Sequence, residues 1–379
     1  MARKSKKQEE ENDQKLKEKM FEFLTSWVEN EPQNREAFFA NLLKLLPLHK
    51  LSSSFLHENV SSHPLVNNSL QCLRLLTEAL NKTRLISPSN PVSKSSYSKV
   101  SHLFYLGGKD QNDTILSSVS KLSTTNREWK SSPEMFTAKF VFGATVIGRK
   151  IYVCGGYTGR ETLKELEVFD CENNTLSILC QMPISGNWKF MAMTALNGLL
   201  FVSGGYTDRE SPYSNLFQYS LDTNTWTELK QMDEGQFGHK LIVLNGLIYS
   251  IGEWKYGEKK VKCYNPDTNE WNYVTPFGYT EGYDLDATLH HNRIYALAYY
   301  SQFKVYDPEL NTWEVLPYPR KQAGDILVSI NNELLFIEYD GESKIVSKFD
   351  TTNNSWNEIL DLYREIWFDQ AAVVHFSKL

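Results

Sequence analysis

The chain has 379 residues and a net charge of −6, and hydrophobic residues make up 41% of it. This composition is ordinary for a folded protein that is long enough for more than one domain. The excess of acidic residues argues against a general nucleic-acid binder, because phosphate contacts need a surplus of positive charge. No apolar run approaches the ~18 residues that would span a membrane. Neither nucleic acid nor a membrane is therefore predicted as a partner.

The five cysteines are widely spaced and form no CxxC pair. An odd number without a pairing pattern predicts free thiols in a reducing compartment. The first twenty residues are charged and have no apolar centre, so they do not resemble a signal peptide. These features predict a cytoplasmic protein, and the basic residues at positions 3–7 leave access to the nucleus open.

The N-terminal part divides into three segments. Residues 1–15 mix charged and amide side chains without apolar periodicity, which predicts a disordered charged tail. Residues 16–86 carry apolar side chains at three- and four-residue steps, in four segments separated at positions such as Pro32 and Pro47. This spacing indicates short helices packed in antiparallel pairs. Residues 87–97 are rich in Ser and Pro and are predicted to be a linker.

From residue 98 to residue 379 the pattern changes to an alternating one, with a repeat of 42 to 50 residues. Periods of this size indicate a propeller or another repeat array. Five of the six units end in a Trp that follows an apolar residue by seven positions, and the sixth keeps the spacing with Leu in place of Trp. The six pairs are Leu122–Trp129, Phe169–Leu176, Tyr219–Trp226, Tyr264–Trp271, Tyr306–Trp313 and Phe349–Trp356.

Glycines occur at fixed places in the repeat. The first three units contain Gly107-Gly108, Gly155-Gly156 and Gly204-Gly205. Paired glycines allow positive φ where the chain leaves an inner strand and neighbouring backbone lies close. Asn197-Gly198 and Asn245-Gly246 lie between alternating runs, and Asn-Gly in that context is a strong signal for a tight β-hairpin.

Together the Gly pair, the aromatic residue before Asp, the Asn-x-Trp sequence and the Met-Pro sequence resemble kelch repeats. The resemblance covers residues 98–379 and implies an all-β, six-bladed kelch propeller. The first unit lacks its own first strand, and residues 371–376 are predicted to supply it, so that the C-terminal strand closes the ring.

The helical segment 16–86 resembles the BACK domain of the BTB–BACK–kelch family, through Trp27, Arg35, Leu42-Leu43 and Cys72. The expected fold is thus a six-bladed propeller preceded by a small all-α, BACK-like domain. No BTB domain is recognised. In that family BTB supplies dimerisation and most of the cullin contact, so the resemblance implies that this chain lacks the family's usual source of both.

The family resemblance assigns partner binding to the propeller face with the longer loops, which enter each blade or follow the glycines. Aromatic residues and Arg dominate the binding energy of protein interfaces. For any single ring, packing at the base of a blade is the alternative role. The predicted partner-binding residues are Tyr157, Arg160, Trp188, Lys189, Tyr206, Arg209, Phe237, Trp254, Tyr283, Asp284, Tyr300 and Trp367.

The resemblance implies a non-catalytic substrate adaptor of a cullin–RING ubiquitin ligase, with cullin or BTB–kelch relatives as further partners. The alternative is a cytoskeletal scaffold that binds actin or associated proteins. No catalytic residue, cofactor or metal site is predicted. The His290-His291 pair has no evident third ligand, and the sequence contains no Gly-rich phosphate loop.

Overall fold

The chain divides into two compact units, Met1–Ser96 and Tyr97–Leu379. The computed structural model describes residues 2–52, 55–60, 63–67, 72, 75, 100–110, 112–123, 129–186, 188–206, 212–252, 257–280, 285–298, 301–319, 324–339, 344–362, 366–367 and 370–376.

The first unit is helical. Its α-helices are α1 (Ala2–Asn30), α2 (Pro32–Leu43) and the single-turn α3 (Pro64–Asn67), with a 3₁₀ turn at Leu48–Lys50 and a π turn at Leu56–Val60. Pro32 opens α2, where its missing N–H removes no helical hydrogen bond.

The buried residues of this unit show how α1 and α2 pack. Phe21 and Val28 of α1 lie in one apolar cluster with Phe39 and Leu43 of α2. Residues 2–15 lie in α1, where a disordered charged tail was predicted. In the described residues only α1 and α2 exceed two turns, where four helical segments were predicted. The fourth of these segments lies mostly outside the described residues, and the BACK-like domain at 16–86 stays a prediction.

The second unit is built from strands. In chain order they are β1 Val100–Leu106, β2 Lys109–Asp110, β3 Val119–Ser123, β4 Trp129–Ser132, β5 Gly143–Ile147, β6 Lys150–Cys154, β7 Glu165–Asp170, β8 Thr175–Gln181, β9 Ala192–Leu196, β10 Leu199–Ser203, β11 Leu216–Ser220, β12 Thr225–Glu228, β13 Lys240–Leu244, β14 Leu247–Ile251, β15 Gly257–Asn265, β16 Glu270–Thr280, β17 Leu285–His290, β18 Arg293–Ala298, β19 Gln302–Asp307, β20 Thr312–Leu316, β21 Gly324–Ile330, β22 Glu333–Tyr339, β23 Lys344–Asp350, β24 Ser355–Leu362, β25 Ile366–Trp367 and β26 Gln370–Phe376.

Five blades are each formed by four consecutive antiparallel strands: β5–β8, β9–β12, β13–β16, β17–β20 and β21–β24. One further four-stranded sheet is assembled from distant parts of the chain in the order β26-β1-β3-β4, and β2 pairs with β25. The predicted count of six kelch blades is therefore corrected to five blades of consecutive strands and one composite sheet. Residues 371–376 lie in β26, antiparallel to β1.

The innermost strands contact one another in sequence around a ring. The strand β5 contacts β9, and the contacts continue through β13, β17 and β21 to β26, which returns to β5. The ring thus closes between β21 and β5 through the composite sheet. Closure of this kind covers inner edges that would otherwise be exposed.

The repeat pairs of the sequence are direct cross-strand neighbours. Tyr219 lies opposite Trp226, Tyr264 opposite Trp271 and Tyr306 opposite Trp313, and the other three pairs share this register. The prediction that the two residues lie on adjacent strands is confirmed. The fully buried member, however, is the earlier aromatic residue, whereas the four described Trp side chains are half-buried.

Polar contacts to the preceding blade are made by three of these pairs, Tyr264–Trp271, Tyr306–Trp313 and Phe349–Trp356. Tyr264 Oη donates to Asn269 Oδ1 (2.9 Å), which also accepts the Lys230 N–H (2.9 Å). Trp271 Nε1 donates to the Lys230 carbonyl oxygen (2.9 Å). Asn269 itself has φ 55°, a left-handed conformation that Asn adopts more readily than most residues. One turn therefore fixes both its own hairpin and the neighbouring blade.

Candidate protein-interaction surface

Three sheets carry an extra antiparallel contact at the end of their two inner strands. In each, the residue that follows a Gly pair lies opposite a residue from the loop that leads into the innermost strand. The pairs are Lys109 with Trp367, Tyr157 with Phe140, and Tyr206 with Lys189. In the last pair, Tyr206 N–H donates to the Lys189 carbonyl oxygen (2.9 Å) and Lys189 N–H to the Tyr206 carbonyl oxygen (3.1 Å).

Side chains from these pairs also contact the next sheet. The Lys109 ammonium lies 4.7 Å from the ring centroid of Phe140, and the Lys189 ammonium lies 3.9 Å from that of Tyr157. Tyr206 stacks on Phe237 with a centroid distance of 5.3 Å. A continuous path of half-buried side chains results, which we call the aromatic–lysine row. Its members are Lys109, Phe140, Tyr157, Lys189, Tyr206 and Phe237.

The glycines explain why the row lies at this end of the sheets. Gly204 has φ 61°, and a Cβ there would lie 2.2 Å from the Gln236 carbonyl oxygen. A Cβ on Gly107 would lie 2.5 Å from the Lys139 carbonyl oxygen. The backbone therefore approaches the next sheet at each Gly pair, as the sequence predicted, and the following side chain meets that sheet's leading loop.

Alternation along the leading loops separates exposed from buried side chains. Lys139, Trp188 and Gln236 each precede a member of the row, and each is buried. Trp188 is 3% exposed and stacks on Tyr213 with a centroid distance of 3.9 Å. Because successive side chains of extended backbone point to opposite sides, Lys189 reaches the surface and Trp188 does not. Trp188 is thus a packing residue rather than a surface contact.

Buried polar contacts hold two of the leading loops. Lys139 Nζ lies 2.7 Å from Glu167 Oε1, and both side chains are almost fully buried. In the next but one blade, Gln236 Oε1 accepts the Ser250 hydroxyl (2.6 Å), and Gln236 Nε2 donates to the Gly252 carbonyl oxygen (3.2 Å). These contacts fix the backbone directly before Phe140 and Phe237, so both rings are held in place.

Left-handed residues follow three members of the row. Val141, Phe190 and Gly238 have φ values of 53°, 57° and 62°. For a β-branched residue such as Val141 this conformation is an outlier. Phe190 N–H donates to the Val141 carbonyl oxygen (3.2 Å), and Gly238 N–H donates to the Phe190 carbonyl oxygen (2.9 Å). Hydrogen bonds between successive sheets therefore accompany the strain, which is a common feature of functional loops.

Charge on this face is mixed. The row contributes two ammonium groups, and the exposed Arg160 follows Tyr157 by three positions. Beside Lys109, Asp113 forms an exposed ion pair at 3.2 Å. The N–H groups of Thr114 and Asn112 hold the pKa of the Asp110 carboxyl below its usual value. The face therefore offers aromatic rings with both signs of charge around them.

The structure brings together four of the twelve predicted residues: Tyr157, Lys189, Tyr206 and Phe237. Trp367 joins them through its backbone, opposite Lys109. Arg209, Trp254, Tyr283, Asp284 and Tyr300 lie outside the described residues. Two members of the row, Lys109 and Phe140, were missed. Lys109 had a sequence signal, since it directly follows Gly107-Gly108 in the way that Tyr157 follows Gly155-Gly156.

A central cavity of about 330 Å³ is lined by the inner strands β5, β9, β13, β17 and β21. His239 lies at its wall, with Nε2 2.7 Å from Ser203 Oγ. Burial lowers the pKa of His239 to about 3, so the imidazole is neutral at physiological pH. Ser203 is fully buried, and a substrate has no access to its hydroxyl. The pair therefore does not form a nucleophilic site.

The cysteines and histidines are the remaining candidates for reactive or metal-ligating groups. Cys154 and Cys263 are buried, as predicted, and burial raises the pKa of Cys263 to about 11. His290 is 4% exposed rather than solvated, and its ring lies 3.9 Å from that of His291. In the part of the chain that the structure describes, no three His, Cys, Asp or Glu side chains are grouped for a metal ion. None of its helices is long and apolar enough to cross a membrane.

Comparison with known proteins agrees with the repeat. A model of the KLHDC2/KLHL20/DRC7 Kelch-repeats domain matches residues 60–252, half of the chain. Kelch-like protein 25 of Xenopus tropicalis is 25% identical over 366 residues, covering 90% of this chain and 61% of that protein. Human Kelch-like protein 23 is 25% identical over 243 residues, covering 60% and 42%. Mouse Kelch-like protein 15 is 26% identical over 295 residues, covering 68% and 48%.

In each of these alignments the chain spans less than two thirds of the relative's length. The match to the family model nevertheless covers the Gly pairs and the residues of the aromatic–lysine row. The chain belongs to the kelch-repeat family.

Proposed function

We propose that this chain is a non-catalytic recognition module that binds a protein partner through the aromatic–lysine row, and that it acts as a substrate adaptor of a cullin–RING ubiquitin ligase. The observation that carries the recognition role is the continuity of the row across four sheets. Six half-buried side chains are preorganised there by backbone pairs, cation–π contacts and one aromatic stack.

The chemistry of the row suits a protein segment rather than a small molecule. Half-buried rings supply large contact areas with little loss of side-chain freedom, and such residues are enriched in binding hot spots. The two ammonium groups already lie over rings, where a carboxylate from a partner finds a positive charge in a partly desolvated place. We expect the partner to contribute apolar or aromatic side chains together with at least one carboxylate.

The ligase role rests on the family. Three Kelch-like proteins align with 60% to 90% of this chain. An adaptor needs one surface for its substrate and another for the ligase. We propose the row as the substrate surface, and a separate ligase-binding surface elsewhere on the chain belongs to the same proposal.

The recognition role is tested by affinity capture with the full chain from lysate of proteasome-inhibited cells. The row variant carries Tyr157→Ala, Tyr206→Ala and Phe237→Ala. The matched control carries Tyr279→Ala, Leu310→Ala and Val315→Ala, which truncate exposed side chains outside the row. We expect the row variant alone to lose its partner by about tenfold or more, since hot-spot truncations cost over 1 kcal/mol each.

A second variant guards against loss of folding. Lys109→Glu with Lys189→Glu leaves all four rings in place and reverses the charge, so its melting temperature should stay close to that of the parent chain. Partners that bind both variants as well as the parent chain contradict the choice of surface.

The ligase role has its own readout. Expression of the chain should increase ubiquitylation of the captured partner, and the row variant should not. A partner that depends on the row but shows no change in ubiquitylation contradicts the adaptor role and leaves recognition intact. Capture of actin-linked proteins without any ligase component also contradicts the adaptor role and supports the scaffold alternative.

A further inference from the structure

Helix α1 has a second apolar stripe besides the one it buries. Phe21, Thr25 and Val28 face the core of the helical unit. Leu16, Met20 and Phe23 lie on another side of the helix and are 58%, 49% and 72% exposed. Exposure of three large apolar side chains on one helix side is unusual for a soluble protein and marks an interaction site.

The spacing of this stripe is that of a helix–helix seam. Leu16, Met20, Phe23 and Trp27 follow one another at intervals of four, three and four residues, as a and d positions of a heptad do. Trp27 is half-buried, and the Arg35 guanidinium lies 4.6 Å from its ring centroid, which holds the ring at the end of the stripe. The stripe spans about 16 Å along the helix.

The charges beside the stripe indicate the orientation in which a partner helix binds. Lys15 and Lys19 lie next to its N-terminal half, and Glu22 and Glu29 lie on the same flank next to its C-terminal half. A second α1 in antiparallel orientation places the lysines of one helix against the glutamates of the other. Parallel orientation places like charges together, which is unfavourable.

We propose that the α1 stripe binds the α1 stripe of a second copy of this chain, in antiparallel orientation, so that the protein forms a homodimer. In this arrangement Met20 packs beside the partner's Phe23, and Leu16 beside its Trp27, as a and d layers do in antiparallel seams. The contact is small, so the dimer is weak, with dissociation in the micromolar range. Each dimer then carries two propellers and gains avidity for a multivalent partner.

The first experiment is sedimentation of the full chain over a series from low micromolar to several hundred micromolar. We expect reversible conversion from monomer to dimer. Phe23→Glu should abolish it, because the charge lies in the centre of the seam. Leu45→Glu is the matched control, since Leu45 is 79% exposed and lies outside the stripe. A chain that stays monomeric throughout, or a dimer that Phe23→Glu leaves unchanged, overturns the proposal.

Charge reversal tests the direction. Lys15→Glu with Lys19→Glu should raise the dissociation constant of the dimer at least fivefold, because all four charges named on this flank are then negative. Adding Glu22→Lys and Glu29→Lys to the same chain should restore it, since opposite charges meet again in the antiparallel pair. Absence of this rescue, with unchanged melting of all variants, overturns the antiparallel arrangement and assigns the stripe to another partner.

Discussion

The Asn269 side chain joins two blades through one oxygen atom. It accepts the hydroxyl of the buried Tyr264 and the N–H of Lys230, and the Trp271 indole donates to the same Lys230 peptide. Asn311 repeats part of this arrangement with Tyr306 and Thr275. Asn in the repeat is therefore selected for its acceptor as well as for its tolerance of positive φ.

We predict that Asn269→Gly lowers the free energy of unfolding by about 1–3 kcal/mol, because two donors lose their acceptor while the backbone conformation stays allowed. Asn245→Gly is the matched control. Asn245 has φ 53° and lies exposed in a hairpin turn. Its replacement should therefore lower the free energy of unfolding by only a few tenths of a kcal/mol. Equal costs in denaturant unfolding would contradict the role of the side chain.

The buried Lys139–Glu167 pair illustrates a different residue-scale effect. Its atoms lie 2.7 Å apart with exposures of 0% and 2%, and among the described residues Glu167 Oε2 has no hydrogen-bond partner. Desolvation of such a pair offsets most of its attraction. Its contribution is the position of the loop before Phe140, rather than net stability.

Lys139→Met alone should therefore cost about 3–5 kcal/mol, because it leaves a buried carboxylate unpaired. Lys139→Met with Glu167→Met should recover most of that loss, which a double-mutant cycle in urea measures. The Lys348–Glu333 pair has the same 2.7 Å distance with exposures of 40% and 41%, and Lys348→Met should cost less than about 1 kcal/mol. Similar costs for both lysines would mean that burial does not govern the pair.

At the scale of elements, the sequence predicted the strands well because each has several independent signals. Asn197-Gly198 forms its hairpin turn with φ values of 53° and 77°, and the aromatic–Trp spacing appears as direct pairing such as Tyr306 with Trp313. These signals are local, and the repeat shows each of them several times. The same holds for Tyr157 and Tyr206, which the Gly pairs marked as surface residues.

Features that depend on distant contacts were less predictable. The burial of Trp188 depends on Tyr213, 25 positions later, and no local pattern reports that contact. The charged start of α1 lacks apolar periodicity, yet it extends a helix whose later turns pack on α2. The predicted number of blades was also wrong. The sequence repeat does not distinguish a blade of four consecutive strands from a sheet whose strands come from distant parts of the chain.

Strand β26 gives the clearest prediction at this scale. It pairs with β1 over seven residues and contacts both β5 and β21. Removal of residues 370–379 should expose the paired edge of β1, remove the contacts of β26 with β5 and β21, and lower the melting temperature of the propeller by at least about 10 °C, since several kcal/mol are lost. Removal of residues 1–13, at the start of α1, is the control. Unchanged melting after the C-terminal deletion would show that β26 does not hold the ring closed.

At the scale of the whole propeller, several histidine side chains are buried in or beside its strands. His239 at the cavity wall is hydrogen-bonded to Ser203, and burial lowers its pKa to about 3, with the nearby charges of Lys262 and Lys240 lowering it further. Burial also lowers the pKa values of His102 and His290 to about 4. His102 lies in β1, His239 directly before β13 and His290 in β17, so acidification acts on the ring at several places together.

This arrangement predicts a stability that falls as the pH falls from 6.5. The unfolded chain binds a proton at His239 near pH 6.5, whereas the folded chain does so only near pH 3, so protons favour unfolding throughout that window. The loss from His239 alone is about 1.4 kcal/mol per pH unit. Urea unfolding between pH 7 and pH 5 measures it, in a range above the pKa of ordinary carboxyl groups. His239→Gln keeps a donor for Ser203 and should reduce the slope of the unfolding free energy against pH by that amount. An unchanged slope would mean that His239 is protonated in the folded chain.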